Sequence, residues 1–223
     1  MWGSRGVRMG AVFACTLAIG LVACGDDGED ETSADEAATT GATTGAAEAD
    51  LERFLMQEGE EPGFRPISPA EARSHGQFPE EFETIEGVDA FAKEMGLTEA
   101  DARRLEEEGF ISFTGGPIRG PKTAGVTNLS LFETEEGARQ DLAHETRQDV
   151  IRSFGPIQGL EFFTVPGIPG ARGWTATEPR VGNVYWVQGR CMLVLGNQGP
   201  GPFQGPLSEG ARAIYERTNG ECP

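Results

Sequence analysis

Basic residues are scarce in this sequence. Eighteen lysines and arginines stand against 36 aspartates and glutamates in 223 residues, a formal net charge of −18. So acidic a chain repels nucleic-acid phosphates and anionic headgroups, which excludes a DNA- or RNA-binding role. Histidine is scarcer still. With only His75 and His144 available, a histidine zinc site or a serine–histidine relay would rest on one or other of them. There is no Gly-X-Ser-X-Gly elbow, no phosphate-cradling loop ending in Lys-Ser or Lys-Thr, no His-Glu-X-X-His and no dinucleotide fingerprint. Heptad repeats and collagen triplets are missing too, and four cysteines are too few for a disulfide-dense miniprotein. The sequence therefore predicts neither a cofactor nor a metal, and a non-enzymatic role ahead of a catalytic one.

No apolar run reaches the roughly 20 residues that a helix needs to cross a bilayer core. From Met9 to Gly25 there is no charge, but that stretch has only 17 residues, and Asp26 and Asp27 follow at once. Arg5 and Arg8 precede it, and Val12, Phe13, Leu17, Ile19, Leu21 and Val22 make its apolar centre. This is the layout of a secretory signal. Its end, Leu21-Val22-Ala23-Cys24-Gly25, resembles the lipobox of bacterial lipoproteins. The resemblance implies cleavage before Cys24 and a diacylglyceryl group, with palmitate-like chains, on the Cys24 thiol. The mature protein would then be held on the extracytoplasmic face of the cell membrane. Two acyl chains hold firmly where one does not, because each buried methylene contributes about 0.8 kcal/mol. A simple secretory signal with an incidental cysteine is the alternative.

Residues 1–23 are thus expected to be a signal peptide and residues 24–50 a lipidated cysteine and a stalk. Between Gly25 and Asp50 nine of 26 residues are acidic, and the rest are Ala, Thr, Gly and one Ser. Such a segment buries nothing and is expected to be disordered, with an end-to-end distance of about 30 Å. Thr39, Thr40, Thr43 and Thr44 resemble the threonine clusters that some bacteria O-mannosylate.

Residues 51–223 are expected to form one domain, with 27 acidic and 16 basic residues and a charge of −11. Ser68, Pro69 and Glu71 read as the start of a helix ending near His75-Gly76. Further helices are predicted over 86–95, closed by Gly96; from the Thr98 cap to Gly109; over 135–153, the longest, capped by Thr134; and from Ser208 to Asn219-Gly220. Strand-like runs occupy 110–114, 125–132, 160–165, 172–177, 181–188 and 190–195, with a tight hairpin at Gly189. Strands bunched between helices argue an α+β domain with a largely antiparallel sheet and flanking helices.

Cys191 and Cys222 are an even pair in an exported chain, the usual basis of a structural disulfide; a redox pair wants a Cys-X-X-Cys spacing that is missing. Asp141, His144 and Glu145 share one helical face at ligand-like spacing, yet Arg139, Arg147 and Arg152 nearby favour a solvated face over a metal site. Trp174, Tyr185 and Trp186 lie in strands, where core packing is the first expectation and a platform for sugar or lipid the second. Residues 196–206 read as a surface loop, neither helix nor central strand, that carries Phe203. Phe203, Trp174 and Trp186 are accordingly the candidate partner contacts.

The stretch 166–189, with Gly167-Ile168-Pro169-Gly170-Ala171-Arg172-Gly173-Trp174, resembles uncharacterised lipoproteins of high-GC Gram-positive bacteria. The order of strand, long helix, strands and cysteine-linked last helix is similar to the extracellular sensor domains of mycobacterial-type Ser/Thr kinases. This chain departs from them in having one candidate disulfide instead of two. The expectation is a membrane-anchored module that binds a small molecule, a lipid or an envelope protein. An envelope hydrolase working through carboxylates, or a structural assembly factor, is the alternative.

Overall fold

A computed structural model describes residues 51–74 and 84–222. The signal segment, Cys24, the stalk, the threonine cluster and the His75-Gly76 helix end lie outside the described residues. The described chain is α+β, as expected, and its elements run β1 (Arg65–Pro66), α1 (Pro69–Ser74), β2 (Ile85–Glu86), α2 (Val88–Met95), α3 (Glu99–Glu107), β3 (Phe110–Arg119), β4 (Ala124–Phe132), α4 (Glu135–Glu145), α5 (Gln148–Ser153), β5 (Glu161–Thr164), β6 (Arg172–Thr177), β7 (Arg180–Gln188), β8 (Cys191–Gln198) and α6 (Gln204–Arg217). The strands form one antiparallel sheet in the order β1-β3-β4-β8-β7-β6-β5, with β2 also paired to β3.

Because strand side chains alternate, the register sorts the sheet into two faces. Leu129, Leu193 and Trp186 share one face, where they pack with Leu207 and Ile214 of α6 and with Leu51, Phe54 and Met56 of the segment preceding β1. Trp174, Tyr185, Met192 and Val194 share the other, against Phe91 of α2, Leu105 of α3, Leu142 of α4 and Ile151 of α5. Burying each of these side chains stabilises the fold by about 1.5–3 kcal/mol. The sheet is therefore the middle of three layers.

Local signals explain most element ends. Thr98 and Asp101 form a reciprocal capping box at α3, and Gly109 just beyond α3 takes a left-handed φ of 74°. Thr134 Oγ1 accepts from the Gly137 amide at α4, and Gly96 closes α2 with φ 63°. Gly189, at φ 54°, makes the two-residue turn between Gln188 and Cys191.

Five expectations about the elements need correction. The strand expected over 110–114 runs on to Arg119, because Gly115 to Arg119 pair with Asn128 to Ala124 of β4. The helix expected from Glu86 starts at Val88, because Gly87 adopts φ 79° and Ile85 and Glu86 pair with β3 instead. The single helix over 135–153 is two: Thr146 Oγ1 bonds the Leu142 carbonyl at 2.8 Å, Arg147 is extended with ψ 138°, and α5 begins anew. The last helix begins at Gln204, well before Ser208; Pro206 lies in its first turn, where amides need no helical partner. It is also the longest described helix, at 14 residues. The stretch 196–206 is only partly a loop. Gly196, Asn197 and Gln198 complete β8, a central strand, paired with Val126, Gly125 and Ala124 on one side and with Asn183, Gly182 and Val181 on the other.

Candidate functional site

Between the sheet and the helices α2 to α5 lies a cavity of about 350 Å³. Its floor is laid by alternate residues of adjacent strands: Val126, Asn128 and Ser130 of β4, Met192, Val194 and Gly196 of β8, and Val181, Asn183 and Tyr185 of β7. Phe91 and Met95 of α2, Leu105 of α3 and Val150 of α5 supply apolar walls. The break at Thr146–Arg147 is what lets α5 contribute Val150 and Ser153 as a wall distinct from α4.

Two amides interrupt the apolar floor. Asn128 lies over Gly115 and Asn183 over Gly196, where any Cβ would collide with the amide oxygen. The glycines thus make room for polar groups in a face that is otherwise core. Asn128 Oδ1 and Asn183 Nδ2 are buried with no protein partner, although Asn183 is only 2% exposed. Buried amide atoms without partners are uncommon and point towards a ligand or water.

One wall is ionic. Arg104 of α3 donates to Glu108 at 2.6 Å and to Asp141 and Glu145 of α4 at 2.7 and 3.3 Å. One guanidinium faces three carboxylates, and the Asp141 and Glu145 side chains are only 5% and 3% exposed. Burial pushes Glu145 up to about 8, helped by the negative charge of Asp141 and opposed by Arg104. Burial likewise raises Glu108 to about 7, reinforced by Asp141, and raises Asp141 against the pull of Arg104. His144 beside them is lowered by burial and by Arg104 and Arg147. Tyr185, at the floor, is raised by burial and by Glu145, with the nearby Trp174 indole opposing. At neutral pH the cluster therefore retains protons that exposed carboxylates would have lost.

The solvated face expected for Asp141, His144 and Glu145 is corrected here. Only His144 is partly exposed; Asp141 and Glu145 turn inward, and the arginine that meets them is Arg104, not Arg139, Arg147 or Arg152. No group of three or more metal-ligating side chains is found among the described residues. Sequence reasoning missed Arg104, Asn128 and Asn183. A signal was present for the acids: Ala138, Asp141, Leu142 and Glu145 follow one inward stripe of α4.

The other expected site residues lie elsewhere. Cys191 and Cys222 are at disulfide distance, with Cα atoms 5.9 Å apart, beside the last turn of α6. Trp186 is fully buried on the face opposite the cavity, where its Nε1 donates to Gln188 Oε1 at 3.1 Å. Trp174 is 1% exposed and Phe203, packed against Gly182 and next to Leu207, is 6% exposed. As placed, these three rings are core and offer a partner no open face. The large apolar side chain most exposed among the described residues is Phe162 on the edge strand β5.

No protein-family model and no curated protein matches the chain. Among solved structures, the extracellular domain of PknH from Mycobacterium tuberculosis is similar at a TM-score of 0.40 and 13% identity, over 70% of this chain and 93% of that one. No described helix is long and apolar enough to cross a membrane.

Proposed function

We propose that residues 51–223 form a single ligand-binding domain, presented outside the cytoplasm on an acidic stalk by a lipid on Cys24. The observation that carries the binding reading is the cavity: about 350 Å³, largely apolar but for one ionic wall, with polar atoms of Asn128, Asn183 and Glu145 buried and unpartnered along it. A concave apolar site with a few convergent polar groups is the usual construction of a small-molecule site. Packing alone would have filled this space, since protein interiors are close-packed. The anchor reading is supported by the lipobox-like Leu21-Val22-Ala23-Cys24, and the structural disulfide by the 5.9 Å approach of Cys191 and Cys222.

Native mass spectrometry of the purified full chain tests the binding reading. A co-purified mass that vanishes under denaturing conditions supports it. A bare mass, with no rise in unfolding temperature across a screen of small amphiphiles, would overturn it.

The second reading, a carboxylate hydrolase, draws on the same cluster, because Glu145 is held protonated near neutrality as a general acid must be. Against it, Asp141 and Glu145 are both bonded to Arg104, which engages the pair that acid–base work requires. Turnover of a glycoside or ester that is lost in Glu145→Gln would favour the hydrolase.

A further inference from the structure

We infer that the cavity takes an organic cation, an amine carried on an apolar body, with its ammonium group against Glu145 and Asp141. The inference rests on the ligand-binding reading above and adds the chemistry of the ligand.

Charge imbalance is the first support. Arg104 is shared among Glu108, Asp141 and Glu145, so the fully ionised cluster carries two negative charges in excess. Of the other charged groups lining the cavity, Arg147 is paired with Asp149 and Asp101 adds a further acid. No lysine or second guanidinium reaches the three carboxylates among the described residues. Buried charges of one sign without counterions are costly, so the empty cluster keeps protons, and a cation from outside the chain is stabilising where it takes their place.

The second support is geometric. Glu145 lines the cavity with its side chain 97% out of solvent, and its Oε2 has no hydrogen-bond partner although Oε1 accepts from Arg104. An ammonium carries three donors and would satisfy that oxygen with a charge-assisted bond. Phe91, Met95, Leu105 and Val194 then surround the remainder of the ligand, which must be apolar to replace the contacts the cavity lacks. An anionic ligand would find the unpartnered Arg104 Nε, but on a guanidinium already facing three carboxylates that repel it.

Proton linkage follows from the same arrangement. Glu145 faces Asp141 on its own helix, Arg104, Glu108 and Asp101 on and near α3, and Tyr185 on β7, while its sequence neighbour His144 also lines the cavity. An ammonium lowers the proton affinity of Glu145, so binding expels a proton wherever the empty site holds one. Amine affinity should therefore rise from pH 6 to pH 8.5, a range in which the cluster ionises while an alkylamine, like lysine, stays charged.

The test compares octylamine, octanol and octanoate against the full-length protein by isothermal titration calorimetry. The three share one apolar chain and differ in head charge. The expected result is a preference of at least tenfold for octylamine over both others, with proton release on binding shown by the dependence of the heat on buffer ionisation. The preference should collapse in Glu145→Gln and, as a check against misfolding of that variant, in Asp141→Asn. Equal affinity for octanol, or tighter octanoate, would overturn the cationic assignment and leave the cavity reading intact. Binding by none of the three also overturns it, and the cavity reading is then decided by the native mass.

Discussion

Glu61 shows what a single residue imposes on this fold. It lies on the face away from the cavity, fully buried beside Gly210 of α6, where Asn197 Nδ2 donates to its Oε1 and its Oε2 is unpartnered. Burial raises it from 4.5 to about 7, with the Asn197 bond opposing. The sign is that of an acid made weaker by folding: between pH 4.5 and 7 the folded state holds more protons than the unfolded one, so stability falls as pH rises through that window. Glu108 and Glu145 act in the same direction. The protein should therefore melt several degrees higher at pH 5 than at pH 8 by calorimetry. Glu61→Gln keeps the acceptor for Asn197 and removes the buried charge, so it should raise stability at pH 8 by about 1–2 kcal/mol, some 2–8 °C in melting temperature, and flatten the pH profile. A melting temperature that climbs with pH would contradict this account. Such residues are hard to read in a sequence, because Glu61 follows Glu60 and precedes a Pro-Gly turn, as a surface acid would.

At the scale of elements, the chain announces its punctuation better than its lengths. Thr98, Thr134, Gly96, Gly109 and Gly189 mark ends where the structure has them, since each works through local backbone geometry alone. The break at Thr146 escaped because apolar spacing continues across it: Leu142, Val150 and Ile151 suit one long helix, and only the Thr146 hydroxyl and the reach of Arg172 Nη1 to it, at 3.1 Å, distinguish two. Gly196 to Gln198 misled for a different reason. Their polarity and glycine content describe a loop, whereas here they are a strand whose side-chain space is taken by Asn183 and by the bond from Asn197 to Glu61. The last helix is held at its end by Gln188, whose Nε2 donates to Thr218 Oγ1 and to the Glu221 carbonyl at 3.1 and 3.0 Å. A Cys191–Cys222 bond would add about 3–4 kcal/mol for its separation of 31 residues. Reduction, or Cys222→Ser, is expected to lower the melting temperature by roughly 10 °C while the midpoint stays cooperative. No change on reduction would show that the two thiols are not joined.

For the whole molecule, the α+β class and the antiparallel sheet were legible, because alternation and bunching of strands survive in composition. The cavity was not. It depends on which strands become neighbours, and β4 meets β8 across more than fifty residues of intervening chain. Anchoring belongs to this scale as well. Cys24→Ala is expected to move the protein from the membrane fraction to the soluble extracytoplasmic fraction, since no described helix would hold it. Retention of the variant in the membrane would end the lipid-anchor reading.

The segment that begins at Leu51 enters the sheet on the face opposite the cavity, with Leu51 and Phe54 in the core under α6. Arg217 of that helix grips the segment through its bonds to Glu60 and to the Leu55 carbonyl. Mechanically, this makes α6 and the first residues one clasp. A pull transmitted through Leu51 is taken up by that clasp and by the cysteine pair beside it. The walls of the cavity, built from α2 to α5, lie outside this line of force, which reaches the cavity only through β8 of its floor, where Cys191 stands.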